Sequence, residues 1–365
     1  MKSYDFAIVG AGIAGASLAA ELAKSGADVL LLEAEDAPGY HATGRSAAFW
    51  EECYGGRGIV PLTRASGPWL RSNGFLSQRG ALYIGRQRDL PALENFYAEF
   101  ASTGVALTRL NREELAGLVP GILPEWVGAI WEPGCADIDV AALHAAFLGQ
   151  AKTCGTRLEC RARVVQAVNA ENGWSLTVES GAEFRCRVLV NAAGAWADEI
   201  ARLAGARPIG ISPLQRTVLQ LRTNPAPRSK LPLVLDIGGQ FYFKPESGRL
   251  WLSPHDEEPS APTDSAPEEL AVAIAIERLQ SVVDWQVAAV EKKWAGLRSF
   301  APDRRPVYGY DPVRENFAWF AGQGGFGIQT SPAAARLGAQ ILLDLPRDAM
   351  TAGLSAADYS PARFL

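Results

Sequence analysis

A glycine-rich segment near the N-terminus constrains the fold more than any other feature of the sequence. Residues 10–15 read Gly-Ala-Gly-Ile-Ala-Gly. They follow an apolar run at 4–9 that predicts a buried strand, and they open an Ala- and Leu-rich stretch at 13–24 that predicts a helix. A second buried strand is predicted at 29–33. In this strand–helix–strand context, the glycine spacing predicts a fold that binds a dinucleotide.

Each glycine of this segment has its own task. Gly10 permits the tight turn, Gly12 lets a pyrophosphate approach the backbone, and Gly15 allows the helix to pack closely against the strand. Glu33 ends the second strand, where an acidic residue accepts hydrogen bonds from both ribose hydroxyls. The nucleotide-binding residues expected in this region are Gly10, Gly12, Ile13, Ala14, Gly15, Glu33 and Ala34.

Two later segments repeat the strand–turn–helix pattern. The first leads from a strand at 187–191 through the small residues 192–196 into a helix. The second leads from a strand at 317–321 through a glycine-rich turn into a helix at 331–343. Both are the kind of unit that extends a parallel sheet.

The segments between these units have a different character. Residues 82–131 and 213–297 contain short stretches such as 240–243, where alternation of side-chain character is typical of an antiparallel sheet. The spacing of Ser265 and Glu268 predicts a capping box that starts a helix.

The chain is therefore expected to have an α/β fold with two interleaved domains. With 365 residues and 48% hydrophobic content, it exceeds what one core usually absorbs. A Rossmann-like nucleotide-binding domain is predicted from residues 1–80, 136–210 and 298–365. An α+β substrate-binding domain, built on an antiparallel sheet, is predicted from residues 81–135 and 211–297. The active site is expected between them.

Composition narrows the classes of partner. The formal net charge of −5 and the lack of a Lys- and Arg-rich run argue against a nucleic-acid partner. Five irregularly spaced cysteines favour reduced thiols over a disulfide framework or a zinc site, so no metal is expected. No uncharged apolar run reaches the roughly 18 residues of a membrane span. We expect a cytoplasmic protein, or one bound peripherally at the inner face of the membrane.

Several motifs carry a family resemblance. Residues 38–48 read Pro-Gly-Tyr-His-Ala-Thr-Gly-Arg-Ser-Ala-Ala, and residues 188–198 read Val-Leu-Val-Asn-Ala-Ala-Gly-Ala-Trp-Ala-Asp. Further matching segments lie at 134–143, 294–300 and 323–331. In collinear order, these segments resemble the D-amino-acid oxidase superfamily and, within it, the D-arginine dehydrogenases. The resemblance implies FAD rather than NAD as the cofactor.

The resemblance also implies where the flavin is contacted. Small side chains at 44–48 let backbone amides lie against the ribityl chain and the ring. The helix opened by residues 324–327 directs its positive end toward the ring edge where negative charge accumulates on reduction. Val164 is expected to contact the adenine through its backbone, and tight helix–sheet packing is the alternative interpretation of 192–195. The other expected contacts are Thr43, Gly44, Arg45, Ser46, Ala47, Ala48, Ala193, Gly194, Trp196, Gly325, Phe326, Gly327, Ile328, Gln329 and Thr330.

His41 bears on how the flavin is held. Related amine dehydrogenases attach the flavin covalently to a histidine in a similar local sequence, whereas D-arginine dehydrogenases carry the same histidine without the link. No cysteine follows Cys186, so the C-terminal cysteinyl link of sarcosine oxidases is excluded. We therefore expect noncovalent FAD.

By the same resemblance, Arg216 and Arg298 hold a substrate carboxylate, for which a guanidinium fork is the natural bidentate partner. Tyr54 and Tyr242 complete the pocket. His255 lies at a location that resembles that of an active-site histidine in sarcosine oxidases. Substrate binding, action as a base and an ordinary loop position all stay open for it. The other matched pocket positions are Gly325 and Gln329.

Three pocket positions depart from the D-arginine dehydrogenase pattern. Ala81 stands where that enzyme has the glutamate that binds the substrate guanidinium, Phe49 replaces a histidine, and Glu51 replaces a threonine. These changes favour an apolar or bulkier substrate side chain. Two interpretations of Glu51 stay open, a new anion for a basic substrate and a residue of a solvated loop.

The resulting expectation is an FAD-dependent amino acid dehydrogenase or oxidase. Hydride passes from the substrate α-carbon to flavin N5, and the imino acid then hydrolyses. An N-substituted amino acid, an opine or a 2-hydroxy acid is the alternative substrate on the same fold. An FAD-binding subunit of a heteromeric oxidase is the alternative of another class. The electron acceptor stays open among oxygen, a quinone and an electron-transfer protein.

Overall fold

The computed structural model of the chain describes residues 2–170 and 173–364. These residues form twenty strands and eight α-helices. The strands are β1 Ser3–Val9, β2 Val29–Leu32, β3 Phe49–Trp50, β4 Leu76–Gln78, β5 Ala81–Arg86, β6 Thr108–Asn111, β7 Trp126–Glu132, β8 Ala136–Ile138, β9 Arg157–Glu159, β10 Val164–Ala170, β11 Gly173–Val178, β12 Glu183–Asn191, β13 Ser212–Asn224, β14 Leu233–Asp236, β15 Tyr242–Glu246, β16 Arg249–Ser253, β17 Glu258–Pro259, β18 Gln286–Phe300, β19 Val307–Tyr310 and β20 Phe317–Ala321. The helices are α1 Ile13–Lys24, α2 Val60–Ser72, α3 Leu90–Ala101, α4 Arg112–Leu118, α5 Val140–Thr153, α6 Ala197–Leu203, α7 Glu269–Gln280 and α8 Gly327–Leu342.

The first sheet has eight strands and contains the glycine-rich unit. Its parallel part runs in the order β20, β12, β1, β2, β9, and antiparallel pairs extend it through β11 and β10 and through β19. The predicted strand–helix–strand unit is confirmed in β1, α1 and β2, although β2 ends at Leu32 rather than at Glu33. The mixed α/β class predicted from the sequence is also confirmed.

Both faces of this sheet are covered, as a parallel sheet requires. Alternate residues of β1 enter different cores: Phe6 and Ile8 join the core beneath α1, α5 and α8, whereas Ala7 and Val9 join the core that contains Trp319. Side chains of both cores are almost fully buried. The carboxyl ends of the parallel strands are thereby fixed, and the turns that follow them are held at one edge of the sheet.

The second sheet has nine strands and is mostly antiparallel. Its order is β17, β13, β16, β15, β14, β5, β7, β6, with β18 also paired to β13, and only β14 and β5 of these described strands pair in parallel. The longest pairing joins β13 and β18, from Ser212 opposite Phe300 to Asn224 opposite Gln286. A small third sheet is formed by β3, β8 and β4.

Strand β18 brings the two large sheets together. Near its C-terminal end, Ser299 forms a β-bridge with Gly324, in the turn between β20 and α8. Strand β18 is thus continuous through residue 298, where a domain boundary was predicted. The division of the chain into two domains stays a prediction. The bridge places the end of the second sheet beside the glycine-rich turn that follows β20 of the first sheet.

Two helix starts differ from the predictions. The capping box at Ser265 is wrong, because that hydroxyl bonds Gln215 Oε1 and α7 begins only at Glu269, without a side-chain cap. Helix α8 begins at Gly327, four residues before the predicted start, because Thr330 and Ser331 bond carbonyl groups within the first turn instead of capping it. No helix of residues 2–170 and 173–364 is long and apolar enough to cross a membrane.

Candidate active site

Two adjoining cavities lie where the sheets meet. The larger one, of about 460 Å³, runs along the turn between β1 and α1 to Glu33, Val164 and Trp196. The smaller one, of about 120 Å³, is lined by strands of the second sheet, including Arg216 and Arg298, and by the segments 42–49 and 323–329. The wall between the two cavities is shared and comprises Ile13, Ala42, Thr43, Arg45, Gly296, Leu297, Gln323 and Gly324.

The glycine-rich turn has the backbone geometry that its sequence predicts. Gly10 has φ +101°, and a Cβ there would lie 2.5 Å from the Ala192 carbonyl oxygen. A Cβ at Gly15 would collide with the Gly10 carbonyl oxygen, so this glycine permits close packing of α1 on β1. The first turn of α1 contains no acidic side chain. Its N–H groups are therefore suited to a phosphate.

Buried hydrogen bonds fix the edge of the larger cavity. The Glu33 carboxylate accepts from the backbone N–H of Ala11 at 2.9 Å and of Glu35 at 3.0 Å. The Thr43 hydroxyl oxygen accepts from the N–H of Ile13 at 2.9 Å. His41 also lines the larger cavity, and its Nε2 lies 3.0 Å from Glu35 Oε1. These contacts hold a carboxylate at the end of β2 in one position.

Arg216 and Arg298 lie close together because their strands are paired. Arg216 is opposite Gly296 and Arg298 is opposite Leu214, so the two side chains are diagonal neighbours on one face of the sheet. Both side chains are nearly buried, with 7% and 12% exposure. Arg298 Nη1 donates to the Tyr54 hydroxyl at 3.0 Å. Arg216 Nη2 and Arg298 Nε have no hydrogen-bond partner among the described residues.

Two acidic residues that the sequence analysis did not assign to the pocket lie beside these arginines. Asp256 accepts from Arg216 Nε through its backbone oxygen at 2.9 Å. Glu257 Oε1 lies 2.5 Å from Arg298 Nη2, 3.5 Å from Arg216 Nη2 and 2.9 Å from Arg304 Nη2. Burial raises the pKa of Glu257, but Arg298 and Arg304 outweigh burial and the pKa is lowered overall. Glu257 is therefore an anion at neutral pH.

His255 lines neither cavity. Its φ is +57°, and its Nδ1 lies 2.7 Å from the Gly239 carbonyl oxygen. Burial, together with the charges of Arg216 and Arg298, lowers its pKa to about 3. The imidazole is thus neutral and donates from Nδ1 to the backbone. Its low pKa makes it a weak base, and its position outside both cavities disfavours contact with a substrate.

Glu51 also lies outside both cavities, and the solvated-loop interpretation of it is wrong. Its side chain is fully buried, with Oε1 accepting from the Cys53 N–H. One ligand atom each from Glu51, Cys53 and Glu132 lie within 4.8 Å of one another. Burial raises the pKa of both carboxyl groups, and their second oxygens have no partner among the described residues. The raised pKa values favour a protonated carboxyl group in this buried pair, and we interpret Glu51 and Glu132 as sharing one proton.

The remaining predicted pocket residues divide into two groups. Phe49 lines the smaller cavity and packs edge-on against Tyr54 and Tyr242, with ring centroids 5.4 and 5.8 Å apart. Ala81 is fully buried in β5 and does not line it. The cavity is lined by the other expected residues Tyr54, Arg216, Tyr242, Arg298, Gly325 and Gln329.

Comparison with known proteins identifies the family. The profile of the FAD dependent oxidoreductase family, DAO, matches residues 5–341. The chain belongs to this family. The resemblance to the D-amino-acid oxidase superfamily is therefore confirmed, whereas the narrower resemblance to D-arginine dehydrogenases stays a prediction.

Relatives within this family match the whole chain at low identity. The bifunctional protein ThiO/ThiG of Synechocystis is 26% identical over 374 residues, which cover 99% of this chain and 54% of that protein. The chain thus spans about half the length of that relative. The hydrogen cyanide synthase subunit HcnC of Pseudomonas aeruginosa is 24% identical over 100% of this chain and 97% of its own length.

A solved structure has the same fold. The glycine oxidase of Geobacillus kaustophilus superposes with a TM-score of 0.85 and 24% identity, over 99% of this chain and 98% of that chain. Because this identity is low, the structural match is evidence for the fold of the DAO family and not for a shared substrate.

The residues of the larger cavity fit the FAD that the family name implies. Val164 and the Glu33 carboxylate are placed for the adenosine end, and the turn at Gly10–Gly12 for the pyrophosphate. Most expected cofactor contacts line one or both cavities. Four do not, and each has a packing role instead: Gly15, Gly44, Phe326 and Thr330. A Cβ at Gly44, for example, would lie 2.7 Å from the Gly39 carbonyl oxygen.

In this DAO family member, sequence reasoning also missed several lining residues. Val218 lies two residues beyond Arg216 on the same face of β13, so the period of the strand could have identified it. Gly296 and Leu297 precede Arg298 inside a matched segment. Ala42 and Gln323 also lie inside matched segments, 38–48 and 323–331, so the same signal could have identified them.

Proposed function

We propose that the chain oxidises a small amine that carries a carboxylate, such as a D-amino acid. The observation that carries this proposal is the pair of nearly buried guanidinium groups with unpartnered nitrogen atoms in a cavity that adjoins the flavin site. A buried donor without a partner costs free energy, and a planar carboxylate offers the acceptors that two guanidinium groups lack. Tyr54 and Tyr242 line the same cavity.

The residues of the chain position the substrate in this proposal. Noncovalently bound FAD would supply the acceptor for a hydride from the α-carbon, and the imine product would hydrolyse in water. Arg216 and Arg298 hold the carboxylate, which fixes the direction of the α-carbon. Phe49, Val218 and Leu297 provide apolar wall that excludes water.

The charges of the site favour a neutral substrate amine. The described residues that line the smaller cavity include no Asp, Glu, His, Lys or Cys. A protonated amine would therefore find arginines but no acidic side chain on the cavity wall, and such an environment lowers an amine pKa. The neutral amine is the form from which hydride can leave, so the same arginines that bind the carboxylate also support the reactive form.

Relatives give independent support for an amino acid substrate. A protein named glycine oxidase, from Geobacillus kaustophilus, is 26% identical over 93% of this chain and 93% of its own length. A small carboxylate-bearing amine would suit a cavity of about 120 Å³ beside the flavin site. D-amino acids and N-substituted glycines are the substrates that we propose first.

The test is anaerobic reduction of the FAD-loaded protein by matched compounds. D-Alanine, sarcosine, D-alaninamide, ethylamine and D-lactate separate the contributions of the carboxylate and the amine. We expect bleaching of the flavin absorbance by one or both carboxylate-bearing amines and none by D-alaninamide or ethylamine. If only D-lactate reduces the flavin, the substrate is a 2-hydroxy acid rather than an amine. If ethylamine reduces the flavin as fast as the carboxylate-bearing amines do, the substrate carboxylate has no role.

A second candidate is an FAD-binding subunit that works in a heteromeric oxidase. The full-length match to a protein named as a subunit of hydrogen cyanide synthase favours it. In that case the purified chain would bind FAD, yet no compound of a broad amine and hydroxy-acid panel would bleach it. Oxygen, a quinone and an electron-transfer protein are the proposed acceptors, and they can be compared by reoxidation rates of the reduced protein.

A further inference from the structure

We propose that Glu257 is a resident carboxylate in the substrate's anion site, so that a substrate binds by exchanging its carboxylate for that of Glu257. This inference rests on the proposed role of Arg216 and Arg298. Glu257 Oε1 lies 2.5 Å from Arg298 Nη2 and 3.5 Å from Arg216 Nη2. Its side chain does not line the smaller cavity, but it already uses Arg298 Nη2 and lies within ion-pair distance of Arg216 Nη2, so it competes with a substrate carboxylate for these two guanidinium groups.

The exchange requires movement of one side chain only. The neighbouring Asp256 is anchored, because its carboxylate accepts from the Thr217 N–H at 2.8 Å and the Thr217 hydroxyl at 2.7 Å. Its backbone oxygen accepts from Arg216. The backbone beside Glu257 is thus tied to β13, while the Glu257 side chain itself is 35% exposed. Rotation of this side chain toward solvent does not disturb the loop.

Arg304 provides a second partner for the displaced carboxylate. Its Nη2 lies 2.9 and 3.0 Å from the two Glu257 oxygens, and its own side chain is 53% exposed. Glu257 can therefore leave Arg298 and remain paired at the surface. Without Arg304, the only described guanidinium partners of Glu257 would be Arg298 and Arg216, and release would be more costly.

The charge balance of the cluster agrees with such an exchange. Three guanidinium groups, those of Arg216, Arg298 and Arg304, face the carboxylates of Asp256 and Glu257. The net charge of these five groups is therefore +1, and one bound carboxylate neutralises it. An uncharged ligand cannot replace Glu257 without leaving a buried guanidinium unpaired. Glu257 thereby acts as a specificity-determining residue that selects carboxylate ligands and lowers their affinity.

The experiment measures carboxylate binding directly, without turnover. FAD-loaded wild-type protein and Glu257→Gln are titrated with sodium benzoate and with sodium acetate, followed by flavin absorbance and by calorimetry. Because this substitution removes the competing anion, we expect Kd for both ligands to fall by about tenfold or more. The matched control is Glu258→Gln, since Glu258 is the next residue along the chain, begins the short strand β17, is exposed and forms none of the described ion pairs; its Kd should equal that of wild type.

A second variant predicts the opposite sign. Arg304→Asn removes the surface partner of Glu257, and asparagine tolerates the positive φ of 61° at this position. Since an exposed ion pair contributes little, we expect Kd to rise by roughly two- to fivefold. If Glu257→Gln does not fold, this variant decides alone, and an unchanged or lower Kd overturns the proposal.

Three outcomes of the main titration also overturn it: an unchanged Kd in Glu257→Gln, a raised Kd, and no carboxylate binding by either protein. A raised Kd would mean that Glu257 holds the arginines in place for the ligand rather than competing with it. Benzoate and acetate are not oxidised in this assay. The exchange can therefore be established even where no amine reduces the flavin, and it can fail where amino acid oxidation succeeds.

Discussion

Replacement of Arg298 by methionine tests the carboxylate site most directly. The side chain offers Nε, which has no partner among the described residues, and Nη2, which is shared with Glu257. Each charge-assisted hydrogen bond contributes about 1.5–3 kcal/mol. Two such bonds would give about 3–6 kcal/mol, and the displacement of Glu257 offsets part of this. A net loss of about 3 kcal/mol corresponds to a fall in kcat/KM on the order of 10²-fold.

The assay compares kcat/KM, FAD content and thermal unfolding of the variants. Arg298 lines the smaller cavity but not the larger one, so Arg298→Met should retain FAD. Arg298→Lys should recover part of the lost rate, because an ammonium group keeps the charge without the two-pronged fork. Arg222→Met is the matched control, since Arg222 is an arginine on β13 with 57% side-chain exposure. Near wild-type kcat/KM for a carboxylate substrate in Arg298→Met would refute the reasoning.

Three further results are expected. Acid precipitation should release FAD into the supernatant, whereas colour that stays in the pellet would implicate a covalent link at His41. D-Arginine should have a lower kcat/KM than apolar D-amino acids, because the described lining of the smaller cavity has no carboxylate and an unpaired buried charge costs several kcal/mol; a higher value would contradict this. Glu132→Gln should raise the midpoint of thermal unfolding at pH 8 more than at pH 4. Burial and the charge of Glu51 raise the pKa of Glu132 well above 4.5. The free energy of unfolding of the wild-type protein therefore falls as the pH rises above 4.5. Equal shifts at both pH values would contradict the shared-proton interpretation.

The sequence predicted the strand–helix–strand unit beside the larger cavity well because its determinants are local. The turn at Gly10, the packing of Gly15 and the position of Glu33 all follow from a short strand–helix–strand unit whose periodicity is legible in one segment. Arg216 and Arg298 came from matched motifs, and the register of β13 and β18 then explains why they meet.

The parts that were missed depend on contacts between distant segments. Glu51 was interpreted from its neighbours in sequence, whereas its environment is set by Glu132, at the end of β7 in the second sheet. Glu257 lies in an acidic stretch that gave no sign of facing two arginines. Ser265 had the spacing of a cap, but a tertiary bond to Gln215 uses its hydroxyl. In each case a partner far along the chain decides the role of a polar side chain.

The interleaving of the sheets has a consequence for synthesis on the ribosome. Strand β1 is hydrogen-bonded to β12, and the wall shared by the two cavities needs residues as far apart as Ile13 and Gly324. A nascent chain that has exposed only the glycine-rich turn therefore has neither the sheet that holds this turn nor the wall shared by the two cavities. This wall is complete only after β20 and the start of α8 have emerged. Until β9 and β12 emerge, β1 and β2 are apolar strands that have only each other as partners, and their open edges expose the chain to aggregation.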